Sequence, residues 1–222
     1  MVSSPAIPRP RQLRQWRVVV PVKCLDEGKS RLAQALPRHE RRELNRLLLQ
    51  RTLERLATFP GPAASVVVSR SPEALQLAHD RGFGVLREER DGDLNAAVTQ
   101  ATRHAHGVDA LAILPVDLPL WVADDLRCLL DQLPAHPACI LVPDLHSSGT
   151  NLLLQSPVRL DRYAFGPSSL ARHLQLASRA GLAPRVVHHP RFAFDIDQPS
   201  DYQRWRTRAP GSRAAESTCV LA

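Results

Sequence analysis

The sequence predicts an α/β fold: a doubly wound, mostly parallel sheet with helices on both faces. Three observations predict it. Short β-branched or aliphatic runs recur along the chain, and segments with an apolar stripe at helical spacing lie between them. The apolar runs are also unbroken, which suits strands buried on both faces. Strands alternating with helices in this way build a parallel sheet.

Taken in order, Arg17-Val18-Val19-Val20-Pro21-Val22 reads as the first strand. Pro37 opens a helix at its first turn, and Leu44, Leu47, Leu48 and Leu56 give that helix an apolar side. Ala64–Ser69 is the next strand, followed by helical segments at 72–81 and 94–105. Ala110–Leu114 and Cys139–Val142 are strands on either side of a helix at 122–133. Helices at 168–180 and 199–207 complete the pattern. Residues 16–206 form the domain, and 1–15 and 207–222 read as flexible tails, the first of them basic.

A length of 222 residues suits one domain with a core that needs no disulfides. The four cysteines are scattered with no Cys-x-x-Cys pair, which fits a reducing compartment and excludes a zinc-finger framework. A formal charge of +7 points to polyanionic partners. Aromatic residues are only 5% and do not interleave with the basic ones, so no nucleic-acid partner is expected and small phosphorylated molecules are. No window approaches the ~20 apolar residues of a membrane helix, and the N-terminal stretch lacks a signal-like apolar core. The expectation is a cytoplasmic protein without a membrane partner. Cys219-Val220-Leu221-Ala222 matches a prenylation box in form and reads as a frayed tail. Nothing in the sequence signals an oligomeric state.

In α/β folds ligands bind beyond the carboxyl ends of the strands. The first strand runs into Lys23, Lys29 and Arg31, three cations placed to hold phosphates. Gly28-Lys29-Ser30 suggests a P-loop, but Lys23 stands where that motif requires glycine. A solvated basic loop is the plain alternative. After Leu114, Asp117 sits between Pro115 and Pro119, as a crevice carboxylate or a helix cap. Asp195 and Asp197, two apart in an extended segment, share a face. Together with Asp117 they make a hard-oxygen set suited to Mg²⁺ shared with substrate phosphates. Phe165-Gly166-Pro167-Ser168-Ser169 offers a helix start as an anion site, and His146-Ser147-Ser148-Gly149-Thr150-Asn151 forms a polar turn. Gly92-Asp93-Leu94-Asn95 starts a helix with Asn95 in reach of a base or ribose, and His188-His189 reads as a strand edge.

In order, these pieces resemble the guanylyltransferases of coenzyme F-420 biosynthesis, which act on 2-phospho-L-lactate, phosphoenolpyruvate or 3-phospho-D-glycerate. The matching stretches are Pro21-Val22-Lys23 with Lys29-Ser30-Arg31-Leu32, Asp93-Leu94-Asn95, and Asp117-Leu118-Pro119. They continue with Gly149-Thr150-Asn151, Phe165-Gly166 with Ser168-Ser169 and His173, and Asp195-Ile196-Asp197 with Pro199 and Asp201. The resemblance implies a Rossmann-like nucleotidyltransferase fold with Mg²⁺ on Asp117, Asp195 and Asp197. It implies Lys23, Thr150, Gly166 and Ser169 around the phosphorylated three-carbon acid, and Lys29, Arg31 and Asn95 around GTP. The product would pass to a deazaflavin transferase. Ser148 and Tyr202 depart from the family pattern, and His146 adds a donor that favours the hydroxylated 3-phospho-D-glycerate.

The implied reaction is attack of the acid's phosphate on the α-phosphorus of GTP with loss of pyrophosphate. That nucleophile is anionic near neutral pH, so alignment and charge neutralisation suffice. Lys23 and Asp117 would carry the catalytic part. The rivals are another nucleotidyltransferase or a nucleotide-sugar glycosyltransferase, which share paired-aspartate metal sites, and a basic nucleic-acid-binding module.

Overall fold

The computed structural model describes residues 15–89, 93–105 and 107–208, and the backbone of 220–221. Most of both tails, the cysteine of the prenylation-like box and Gly92 lie outside the described residues.

Eight strands form one sheet: β1 Trp16–Val22, β2 Ser65–Ser69, β3 Gly84–Arg87, β4 Ala110–Ile113, β5 Ala138–Pro143, β6 Thr150–Ser156, β7 Ala183–His188 and β8 Val220–Leu221. Their order is β3-β2-β1-β4-β6-β5-β7-β8. The first four are parallel neighbours, β6 runs antiparallel between β4 and β5, and β7 is parallel to β5. The helices are α1 Arg38–Thr58, α2 Pro72–His79, α3 Leu94–Arg103, α4 Ala123–Asp131, α5 Ser169–Arg179, α6 Pro190–Ala193 and α7 Pro199–Thr207. Among the described residues, no helix is long and apolar enough to cross a membrane.

The expected α/β sheet with helices on both faces is what forms. Val18, Val20 and Val22 of β1 join one core with α1, α2 and α4, while Val19 joins the other with α3 and α5. This alternation is the two-residue period of a strand buried on both sides. The sequence reading located β1, β2, β4 and β5, and six of the seven helices. It missed β3, because Gly84-Val85-Leu86-Arg87 is largely exposed and too polar to read as a buried run. It took the start of β6 for a turn, because Thr150 and Asn151 are polar although the strand is buried throughout.

The strand order reverses at β1: the chain continues to β2 and β3 on one side and returns to β4 on the other. The crevice beyond the ends of β1 and β4 is the switch point of this sheet. Gly28-Lys29-Ser30 leads there into a three-residue 3₁₀ turn and not into a helix, so the segment is no P-loop. Trp121 stacks on Phe192 at 5.7 Å and joins α4 to α6. A buried charge cluster seals the same joint. Asp125 is 0% exposed, accepts hydrogen bonds from Val122 N–H (2.8 Å) and Arg191 (3.0 Å), and lies 3.5 Å from His189 Nε2. Burial raises the Asp125 carboxyl, but His189, Val122 N–H and Arg191 outweigh it and hold the group below its ordinary value.

Removing one member of such a cluster leaves the other buried and uncompensated. Asp125→Ala is expected to lower stability by about 3 kcal/mol. The check is the urea midpoint at constant slope; a change below about 1 kcal/mol would leave the joint to the Trp121–Phe192 stack.

Candidate active site

The loop after β4 carries Asp117 to the switch point. Its backbone is held from α1: Arg55 donates to the carbonyls of Leu118 (3.4 Å) and Pro119 (2.7 Å) and lies over the Trp121 ring. Burial lowers the Arg55 guanidinium to about 10, which leaves it fully charged at neutral pH. Ile196 N–H donates to the Asp117 carbonyl at 3.1 Å. That bond brings the segment with Asp195 and Asp197 against Asp117.

Asp195 is fixed from β6. Asn151 Nδ2 donates to the carbonyls of Phe192 (3.0 Å) and Ala193 (3.2 Å) and reaches Asp195 Oδ1 at 3.4 Å. Burial pushes the Asp195 carboxyl up to about 6; the charge on Asp117 adds to this, as does that on Asp197, while the Asn151 bond works against it. Three carboxylates therefore share one field.

Two cations answer them. Lys29 Nζ donates to Asp117 Oδ2 at 3.0 Å, its side chain only 8% exposed, and Arg31 pairs with Asp197. Lys29 sits at φ 58°, a left-handed conformation that costs a residue with a Cβ about 1–2 kcal/mol. Leu32, three residues on, is buried in a small core with Leu44, Leu48, Phe194 and Ile196. Tyr202, one of the departures from the family pattern, packs on the same small core.

The second half of the site is built around the start of α5. Gly166 has φ 116°, open to glycine and strained for any other residue. Gly149 has another constraint: a Cβ there would come within 2.8 Å of Asp144 Oδ2. Asp144 needs that space to accept from His146 N–H (3.2 Å) and Ser148 N–H (2.9 Å), which shapes the turn. Ser148 contributes only backbone, accepting from Leu170 N–H at 3.1 Å. Thr150 N–H donates to Ser169 Oγ at 2.8 Å, and Thr150 Oγ1 lies 3.0 Å from His173 Nδ1. His173 Nε2 accepts from Ala164 N–H at 3.0 Å, and burial, then the Arg172 charge, lowers the imidazole to about 4.

The structure thus gathers Lys29, Arg31, Asp117, Asp195 and Asp197 at one locus and Thr150, Gly166 and Ser169 at another. Thr150 and Asn151, adjacent on β6, tie the two together. The Asn95 amide accepts from Phe165 N–H (2.6 Å) and donates to Phe165 C=O (3.2 Å), so both its ends hold the 165–169 turn. The His146 imidazole is exposed at the tip of its turn. Lys23 lines a separate cavity of about 150 Å³ with Cys24, Glu27, Arg70, Glu88 and Leu94. A larger cavity of about 260 Å³ lies at the opposite ends of the strands, against Arg17, Ser65 and His104, away from every expected site residue. Sequence reasoning missed Arg55, which no motif marks, and gave no role to Asn151 or His173.

Among the described residues, no group of three or more His, Cys, Asp or Glu side chains stands at closed metal-binding spacing. The donor chemistry of Asp117, Asp195 and Asp197 nonetheless fits a hard divalent cation. Such a cation would relieve the repulsion that raises Asp195, and Mg²⁺ draws part of its shell from substrate phosphates.

A family model described as "Guanylyl transferase CofC like" matches residues 16–215. The chain is 38% identical to a phosphoenolpyruvate guanylyltransferase of Roseiflexus castenholzii, over 89% of this chain and 90% of that one. It is 40% identical to one of Rubrobacter xylanophilus, over 84% and 91%. A solved nucleotidyl transferase from Methanothermobacter thermautotrophicus shares the fold with a TM-score of 0.61 at 17% identity, over 87% and 96% of the two chains.

His173 predicts a pH dependence. Its folded value lies below the ordinary 6.5, so the unfolded chain binds a proton first as pH falls. The stability it contributes is complete above about pH 6.5 and is lost on the way down to about pH 4. His173→Gln is expected to remove up to about 3 kcal/mol of the loss across that window. Urea midpoints of both proteins from pH 7.5 to 4 check it; parallel curves would assign the acid limb to other groups.

Proposed function

The chain belongs to the CofC-like guanylyl transferase family, and on that premise we propose that it transfers GMP from GTP to phosphoenolpyruvate with release of pyrophosphate. The observation that carries this reading is a carboxylate trio flanked by cations on one side and by a hydroxyl-lined helix start on the other. Two anionic substrates can then meet across one metal site.

In this reading Asp117, Asp195 and Asp197 hold Mg²⁺, which when bound supplies Lewis-acid polarisation and charge neutralisation at the phosphates. Thr150, Ser169 and the backbone at Gly166 hold the phosphorylated acid. Lys29 and Arg31 exchange part of their pairing with the carboxylates for the triphosphate. A phosphate oxygen of the acid forms a bond to the α-phosphorus while the bond from that phosphorus to the β-bridging oxygen breaks, and the electron pair leaves with pyrophosphate. No general base is required. The work of the protein is alignment and a preorganised field.

The cavity beside β1 receives the guanosine. Its Glu27 carboxylate, which pairs with Arg70, and its Glu88 carboxylate are acceptors of the kind the N–H donors of the guanine edge require. Lys23 shares that cavity and is therefore assigned to the nucleotide, not to the acid. Phosphoenolpyruvate is preferred as acceptor because similar proteins carry that name. The product is then a diphosphate diester, with guanosine on one phosphorus and the acid on the other, an activated intermediate of coenzyme F-420 biosynthesis consumed by a deazaflavin transferase.

The test is pyrophosphate release from GTP and Mg²⁺ with phosphoenolpyruvate, 2-phospho-L-lactate and 3-phospho-D-glycerate in turn, coupled to a deazaflavin acceptor and its transferase. Turnover is expected with phosphoenolpyruvate and not with ATP or CTP in place of GTP. Silence with all three acids would overturn the reading. Asp117→Asn and Asp195→Asn are expected to lower kcat at least about 100-fold without loss of fold. Activity near wild type at saturating Mg²⁺ would remove them from the metal site. Lys23→Ala is expected to raise KM for GTP about tenfold and leave KM for the acid nearly unchanged; the opposite split would return Lys23 to the acid.

A further inference from the structure

We propose that His173 is a positioning residue that fixes the Thr150 hydroxyl as a hydrogen-bond donor to the anionic group of the acid substrate. The inference rests on the reading of Thr150 as an acid ligand given above, and adds the group that sets its polarity.

The argument begins with a backbone amide. Ala164 N–H can only donate, and it points at His173 Nε2 from 3.0 Å. That nitrogen must therefore be the bare one, and in a neutral ring the hydrogen resides on Nδ1. Nδ1 lies 3.0 Å from Thr150 Oγ1, so the imidazole donates and the hydroxyl accepts. A hydroxyl has one hydrogen and two acceptor lone pairs. With a lone pair taken by a fixed donor, the Thr150 hydrogen turns away from the ring.

The neighbouring hydroxyl is prepared in the same way. Ser169 Oγ accepts from Thr150 N–H at 2.8 Å, so its hydrogen is also directed elsewhere. An anion brings no hydrogens, so a site for it needs donors. Two hydroxyls side by side, each already accepting, supply two.

The ring itself cannot turn easily. It is 0% exposed, bonded at both nitrogens, and meets Phe165 edge-on at 4.7 Å. Its two bonds have separate destinations: one fixes the turn before α5, the other reaches the substrate through Thr150. Asparagine and glutamine divide these two tasks. A glutamine amide reaches the position of Nε2 and keeps an acceptor for Ala164, but leaves Thr150 without its donor. An asparagine amide reaches the position of Nδ1 and keeps a donor for Thr150, but orphans the buried Ala164 N–H.

The experiment is steady-state kinetics on His173→Gln, His173→Asn and Thr150→Val, with the urea midpoint of each. His173→Gln is expected to keep the wild-type midpoint at pH 7.5 and raise KM for the acid about tenfold, the size of one hydrogen bond to a charged group, with KM for GTP unchanged. His173→Asn is expected to do the reverse: a lower midpoint and an acid KM within about twofold of wild type. In the Thr150→Val background, His173→Gln should add nothing. Acid KM values that follow stability across the two His173 variants, or an additive effect in the Thr150→Val background, would overturn the proposal and leave the reading of Thr150 intact. An unchanged acid KM in Thr150→Val alone would overturn both.

Discussion

The bond from Ile196 N–H to the carbonyl of Asp117 joins two loops that have every electrostatic reason to separate. One loop carries a carboxylate after β4 and the other carries two more after α6, and like charges at this range repel. A backbone bond is neutral, so it sets the spacing of the loops whatever the charge state of the side chains. Arg55 and Asn151 extend the same strategy. Each grips main-chain carbonyls next to the aspartates, at 118–119 and at 192–193. The geometry of the carboxylates is thus held from behind, and their charge is answered separately by Lys29 and Arg31.

The antiparallel strand β6 is what makes one site from two. Successive residues of a strand face opposite sides of the sheet. Thr150 accordingly meets His173 and the start of α5 on one face, while Asn151 meets α6 and Asp195 on the other. A displacement of β6 would move the Thr150 and Ser169 hydroxyls and the segment with Asp195 together. Its pairing on both sides, to β4 and β5, resists such a displacement.

How much of this was legible follows from where the information lies. Strands buried on both faces announce themselves as apolar runs, which is why β1, β2, β4 and β5 could be read. The edge strand β3 lacked that signal, and β6 was hidden because its first two residues serve the site before they serve the core. Asp117, Asp195 and Asp197 could be grouped because each follows an apolar or extended segment, and such ends converge in this fold. The sharing of work among neutral polar residues was not legible. Asn95 carries the same amide whether it faces a base or the Phe165 backbone, and only the fold decides between them. Arg55 lies in the last turn of α1 at a separation of more than sixty residues from the carbonyls it holds, and no local pattern marks such a partner.

Exposure and pairing together decide which groups in the site are charged: Lys29, though only 8% exposed, keeps its charge against Asp117. Lys23 and Arg31 are exposed, where solvent supports their charge. Asn95, Asn151 and His173 lie deeper and are neutral donors and acceptors. A cation in place of His173 would need a counter-ion, because an isolated buried charge costs several kcal/mol. The natural counter-ion is a carboxylate, and one placed beside Thr150 would itself be a further buried charge to balance. A neutral imidazole between an amide and a hydroxyl avoids this: it accepts from the Ala164 N–H and meets the Thr150 hydroxyl without adding charge.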